Sequence, residues 1–402
     1  MLFSSRTRWI AGGLLVAALL ALLAAIVRRG APGVPGGELA AGESEILRAQ
    51  VVAVLEEGTI TQGEIEQPYQ RLRLRFTGGT LDGQEVEVEH GLLGLTNQSR
   101  MFRAGDRVVV EHSRTPEGEE RFFLTDYVRT GPLLWLALLF AAATLLLSGW
   151  QGVRSLAGMG VSLIVLIAFI VPQILAGHNP VVITLIGSVV MMGISLYLVY
   201  GWRAKTHVAV VGLFLSLILT GLLATWFVGW ARLSGFGAEE AGFLQVAGAR
   251  LDLQGLLLAG ILIGALGALD DVAINQASAI FELNRANPRL GWTALFRHGM
   301  VIGRDHIAAM VNTLLLAYAG VALPLLLLLS VYAEPLGTTL NREIIAEEIV
   351  RTLVGSLGLL AGVPLTTLIA ALVARRTSPG PDQGPGEAGS EGGFHVEEGE
   401  KG

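Results

Sequence analysis

Residues 253–282 read LQGLLLAGILIGALGALDDVAINQASAIFE, and the junction inside this stretch decides how the chain is built. Leu253–Leu269 is greasy helix; Asp270, Asp271, Asn275, Gln276, Ser278 and Glu282 then follow with no proline to end it. A carboxylate next to lipid is expensive, so these groups are expected to face a bundle interior or a wet cavity. Asp271, Asn275, Ser278 and Glu282 stand at i, i+4, i+7 and i+11, a continuous stripe on one helix face. At 1.5 Å per residue, Asp271 lies roughly 27 Å below Leu253, in the cytoplasmic half if the helix enters from outside. The bland alternative is that the helix has already left the membrane, which would make Glu282 and even Asp270 ordinary surface.

The rest of the chain is of the same kind. With 402 residues, mean hydropathy +0.58 and only 15% charged residues, it is too apolar for an ordinary soluble globule. Apolar runs at Trp9–Ile26, Pro132–Trp150, Leu156–Leu175, Val181–Tyr200, Val208–Trp230, Leu253–Phe281, Ile307–Tyr332 and Ile349–Val373 predict eight transmembrane helices. Arg28 and Arg29 directly after the first run favour an uncleaved anchor over a secretory signal. Arginine and lysine concentrate on one side of this layout, at Arg6, Arg8, Arg154, Arg203, Lys205, Arg285, Arg289, Arg297, Arg304, Arg375 and Arg376. By the positive-inside rule that side is the cytoplasm, both termini are inside, and residues 45–130 are extracytoplasmic, with the inner membrane as the address. The net charge of −6 gives no basic surface for nucleic acid, and the absence of cysteine removes disulfides and thiolate chemistry.

Residues 45–129 are polar and alternate like strands, at Gln50–Leu55, Gln70–Phe76, Gln84–His90, Arg107–His112 and Arg121–Val128. Arg71, Arg73 and Arg75 alternate with apolar residues, as do Glu85, Glu87 and Glu89, so a hairpin should pair Arg75 with Glu85, Arg73 with Glu87 and Arg71 with Glu89. The expectation is a small five-stranded all-β barrel, with an OB-like arrangement as one candidate and its charges forming a solvated face. A Gly/Pro/Ala linker over 30–44 precedes it, and a Gly- and Glu-rich cytoplasmic tail over 377–402 reads as disordered. The domain plan is therefore an anchor over 1–29, the linker, the β domain, and a seven-helix membrane domain over 131–376.

A second set of polar residues opens span seven: Arg304, Asp305 and His306, then Asn312 and Thr313 within an apolar run. Asp305 and Asn312 are seven apart and share a face, so this helix and span six could complete one polar site, with Arg304 neutralising Asp271 or Asp305. His306 lacks a second histidine at i±3 or i±4 and is not expected to hold a metal. Gly291–Gly303 looks too short to span and is expected at the inner interface or re-entrant. Glu347 and Arg351 read as a surface ion pair at the outer boundary, while Gly260/Gly264 and Gly358/Gly362 have the spacing for close helix contact. Walker A, HExxH, GxSxG and dinucleotide fingerprints are all missing.

Three stretches give the sequence a resemblance to the YibE/F family of bacterial multi-pass membrane proteins. They are Gly264–Ala273 with Ser278 and Glu282, Gly303–Asp305 with Asn312–Tyr318, and Glu347–Thr352 with Gly355, Ser356 and Val363–Thr366. The resemblance implies the architecture and a polar membrane site in which Asp271 takes the position of the intramembrane acid; it implies no substrate. Asp270, Asn275 and Gln276 make this chain more polar there than the family pattern.

The expected function is a secondary transporter or permease for an unknown small solute or ion. Asp271 and Asp305 would exchange protons or bind a cation, Asn275, Ser278, Asn312 and Thr313 would supply neutral ligands, and Glu282 would guard the cytoplasmic mouth. No cofactor beyond a bound proton or cation is expected. The rivals are a membrane-embedded enzyme acting on a lipid or lipid-linked group, and a non-enzymatic sensor or assembly factor. Partners under either heading are the bilayer, a second copy, or an extracytoplasmic protein held by the β domain.

Overall fold

A computed structural model describes residues 44–62, 65–91, 101–114, 120–237, 239–246, 251–331 and 335–377. The expected anchor at Trp9–Ile26, the linker before Ser44 and the tail beyond Thr377 lie outside them. The described residues divide into two compact units, one up to Val153 and the other from Arg154 onward.

The first unit holds five strands: β1 (Ser44–Gln62), β2 (Ile65–Phe76), β3 (Glu85–His90), β4 (Arg107–Arg114) and β5 (Glu120–Tyr127). They form one antiparallel sheet in the order β3-β2-β1-β4-β5. Alternation explains the layering: Leu47, Ala49, Val51, Leu72, Leu74, Phe76, Val88, Val108 and Val110 are buried together, and the residues between them point out. β1 is long enough to serve two neighbours, pairing with β4 through its first half and with β2 beyond it. Register shifts between Val51 and Ala53 and between Val54 and Glu56 bend it, so the sheet curls. Buried Gln70 fastens the segment before β4, accepting from the Phe102 amide at 2.7 Å and donating to its carbonyl at 3.0 Å.

The β2–β3 register is the one the charge alternation requires, with Arg71 opposite Glu89, Arg73 opposite Glu87 and Arg75 opposite Glu85. Arg75 and Glu85 close to 2.5 Å and Arg73 and Glu87 to 3.1 Å, while Arg71 reaches diagonally to Glu87 at 2.9 Å and leaves Glu89 to Tyr69 at 3.3 Å. The hydrogen bond from Arg73, with Arg71 beside it, holds the Glu87 carboxyl below its ordinary range. A lowered folded-state value favours folding above the unfolded value, and that contribution is lost as pH falls through the folded value. Glu87→Gln is therefore expected to flatten the acid limb of β-domain unfolding below about pH 4.3 and to leave stability near neutral pH little changed. Circular dichroism against pH checks this.

The second unit is helical. α1 (Thr130–Val165) begins in the first unit and continues through a π-helical turn (Leu166–Ile170) into α2 (Val171–Leu175). Then come α3 (Pro180–Tyr200), α4 (Ala204–Trp230), α5 (Glu239–Val246), α6 (Leu253–Ala286), α7 (Trp292–Val321), α8 (Leu323–Val331), α9 (Leu336–Leu340) and α10 (Glu343–Thr377). Among the described residues six helical stretches are long and apolar enough to cross a membrane. The first, Thr130–Leu175, has 46 residues, roughly 69 Å of helix or about twice the hydrocarbon thickness, and Gly149, near the end of the first of the two apolar runs expected as separate spans, leaves helical geometry (φ 55°, ψ −133°).

The centre of the bundle is α4, α6 and α10, packed through small residues. A Cβ on Gly212 would overlap Thr366, one on Gly358 would overlap Thr220, and one on Gly362 would come within 3.1 Å of Leu269. Ser216 and Thr220 return their hydroxyl protons to Gly212 and Ser216 carbonyls at 2.7 and 2.8 Å, which keeps both side chains compact and satisfied. The spacing Gly358/Gly362 thus does mark close helix contact. Of the other pair, Gly264 lies against Tyr318, and Gly260 faces open space.

Two expectations are corrected. Gly291–Gly303 is no separate interfacial segment: from Trp292 it is the opening of a continuous 30-residue helix, because Leu295, Gly299 and Gly303 recur every four residues and seat that turn in the bundle. Arg351 pairs with Glu348, three residues back, and not with Glu347. Glu347 is only 3% exposed and accepts from the Gly237 amide at 3.0 Å, while Glu343 accepts from Ser234 Oγ at 2.6 Å and the Gly235 amide at 3.1 Å. The first turn of α10 thereby holds the loop after α4 by its backbone.

Candidate functional site

The polar stretch of α6 sits in an unbroken helix, 34 residues long, whose N-terminus is capped by Asp252 accepting from the Gly255 amide at 2.9 Å. Its two aspartates diverge by 100° around the axis, with different surroundings. Asp270 shares its side with Leu266, Ala273, Ile274 and Ala277, all buried; it is itself only partly exposed, and its Oδ1 is buried without a hydrogen-bond partner. Asp271 and Asn275 are exposed on the flank of the bundle, Ser278 is half-buried, and Glu282 is exposed. Sequence reasoning weighted Asp271 and passed over Asp270. The signal was present in the wheel: an acid whose neighbours at i−4, i+3, i+4 and i+7 are all apolar must turn inward with them.

The stripe meets the turn between α3 and α4. Gly201 (φ 76°) reverses the chain there, Trp202 stacks on Tyr197 at 4.6 Å, and the Tyr197 hydroxyl and His207 Nδ1 share a hydrogen bond at 2.8 Å. This aromatic knot fixes the start of α4 and presents Lys205, whose Nζ donates to Ser278 Oγ at 3.3 Å. Tyr200, at the end of α3, is within electrostatic reach of both Asp270 and Asp271. Below Ser278 a cavity of about 450 Å³ is lined by Arg203, Lys205, Phe281, Glu282 and Arg285, with Arg285 and Glu282 3.3 Å apart. Acid, hydroxyl, ammonium and guanidinium groups therefore follow one another along α6 from the middle of the helix to its C-terminal end. Such a series can hand on a proton, hold a cation at the buried Asp270 oxygen, or steer a charged solute.

α7 contributes differently from expectation. Its contact with α6 is made by Gln276, which donates to the Gly299 carbonyl at 2.7 Å, and by Ile280, which lies over Gly299. Arg304, Asp305 and Asn312 are exposed on the side of α7 away from Leu295, Gly299 and Gly303, and Thr313, also exposed, stands about five turns beyond Leu295 on the same side as it. The structure thus brings Asp271, Asn275, Ser278 and Glu282 onto one stripe and places Arg304, Asp305, Asn312 and Thr313 on a different surface. Lys205, Arg203 and Tyr200 take the place expected of α7. Among the described residues no group of three or more histidine, aspartate or glutamate side chains is arranged to hold a metal.

The stretches that carried the family resemblance are in contact. Gly264 of α6 lies against Tyr318 of α7, and Gly303 of α7 lies against Gln276 of α6 and Val363 of α10. A family model described as YibE/F-like protein matches residues 136–376, more than half of the chain. The chain belongs to the YibE/F-like family. The match covers every helix of the polar site and stops short of the β domain. No curated protein and no solved structure matches the chain. Membership of the YibE/F-like family and the six long apolar helices together support an integral membrane protein.

Proposed function

We propose that this YibE/F-like chain is a multi-pass permease for a small hydrophilic solute or ion, coupled to protons or a cation through Asp270 and Asp271. The single observation that carries the reading is the buried, unpartnered Asp270 Oδ1 in the middle of a membrane-length helix. A carboxylate oxygen in that position needs a proton, a cation or water, and each is a transported or coupling species. Ser278 with Lys205, and then the cavity at Arg203, Glu282 and Arg285, continue the polar series toward one end. In this proposal the chain crosses the bacterial inner membrane about eight times, with both termini inside. The β domain lies outside as an OB-like, partly open barrel; the strand order β3-β2-β1-β4-β5 and the curl of β1 favour that arrangement.

Liposomes containing the protein and a pH-sensitive dye test the coupling. Offered a panel of small anionic, cationic and neutral solutes, or sodium and potassium alone, the wild type is expected to drive solute-dependent proton or cation movement. Uptake that persists unchanged in both Asp270→Asn and Asp271→Asn contradicts the proposal.

A further inference from the structure

The exposed face of α7 does not suit lipid. Only 6% of its apolar window is buried, against 67% for α6, yet its outward residues include Arg304, Asp305 and Asn312, none of which has a partner among the described residues. Their depth follows from the packing of neighbouring helices. Gly303 lies level with Gln276 of α6 and Val363 of α10, about 10 Å and about 5 Å from the midpoints of those helices. Taking the midpoints of α6 and α10 as the bilayer midplane, and the hydrocarbon half-thickness as about 15 Å, places Arg304 and Asp305 inside it and Asn312, about 13 Å further along α7, across the midplane. An arginine, an aspartate and an asparagine facing acyl chains at those depths would each be costly, and something polar must cover them.

We propose that this face of α7 is a homodimer interface, in which Arg304 of each copy pairs with Asp305 of the other and the two Asn312 side chains bond to each other. Two copies inserted with the same orientation are related by an axis along the membrane normal, so residues of equal depth meet. A surface carrying adjacent opposite charges and one amide on the same stripe is self-complementary under that operation: the arginine finds the aspartate, and each amide offers both a donor and an acceptor. Ala308 and Ala309 lie between the charged pair and Asn312, small enough to let the backbones approach. Of the apolar segments of this chain that could cover the face, Trp9–Ile26 and Pro132–Trp150 carry no charged side chain to pair with Arg304 or Asp305.

The chain has no cysteine, so introduced thiols report without background. Full-length protein in native membranes, carrying Asn312→Cys or Ala308→Cys, is expected to form a covalent dimer under mild oxidation far faster than Leu222→Cys, an exposed position on α4. Arg304→Asp and Asp305→Arg should each lower that yield, and the double swap should restore it. In nanodiscs, Asn312→Leu should weaken association by roughly 3- to 20-fold, the span measured for interhelical polar contacts. Cross-linking of Asn312→Cys no faster than Leu222→Cys overturns the proposal, as does an intramolecular disulfide between Ala308→Cys and Leu19→Cys in one chain.

Discussion

Asp270→Leu is expected to give a protein that unfolds at a higher temperature and transports nothing. The side chain stands among Leu266, Ala273, Ile274 and Ala277, and its buried oxygen is not hydrogen-bonded, so an apolar residue of similar volume removes a desolvation penalty and leaves the packing intact. Leaving such a group unsatisfied costs about 1–3 kcal/mol, and that is the expected gain. Asp270→Asn should lose coupled flux just as completely while gaining less stability, since an amide is still polar. Asp271→Asn, on the exposed flank, should change stability by less than about 0.5 kcal/mol. Thermal unfolding in detergent and flux in liposomes, measured on the same preparations, separate these cases. An Asp270→Leu protein that is less stable than wild type would mean that the carboxylate is satisfied by a partner and is structural.

The second large effect is expected far from any charge. Gly358 of α10 faces the Thr220 side chain of α4 so closely that any Cβ there overlaps it, and Thr220 is fully buried, with its hydroxyl committed to Ser216. Gly358→Val should destabilise the bundle by about 3 kcal/mol or prevent its assembly, because neither helix can retreat without opening the contacts at Gly212 and Gly362. Thr220→Ala in the same chain should return part of the loss, and that recovery distinguishes a steric clash from a change in helix propensity. The double-mutant cycle in unfolding temperature is the check.

How far the sequence anticipated these features varies with the physics behind each. The β2–β3 hairpin was legible to the residue, since Arg71, Arg73 and Arg75 against Glu85, Glu87 and Glu89 permit only one satisfactory register. The membrane helices were legible from their length and greasiness. Their boundaries were less so: Ile307–Tyr332 reads as a single span, but the helix begins at Trp292 because glycines, invisible to a hydropathy count, fit it against its neighbours. The partner of the α6 stripe was not legible at all. Periodicity fixes which residues share a face of one helix and says nothing about which other helix that face meets. The lysine at 205 was the available hint, as one of two in the chain and the first residues into α4. The inward turn of Asp270 could have been read from its four apolar neighbours, had the two adjacent aspartates been weighed by their surroundings.

The account stands on Asp270 lying within the membrane yet connected by polar groups to the C-terminal end of α6, the cytoplasmic end in the proposed orientation. Single cysteines at Asp270, Ser278 and Glu282 in the otherwise cysteine-free chain measure this directly, by labelling from that side with a small cationic thiol reagent and with a bulky impermeant maleimide. The expected result is that both reagents reach Glu282→Cys, while only the small one reaches Ser278→Cys and, more slowly, Asp270→Cys. Labelling of Asp270→Cys by the maleimide as fast as Glu282→Cys would place it in open water, and no labelling by either reagent would leave it without a path; each result contradicts the account.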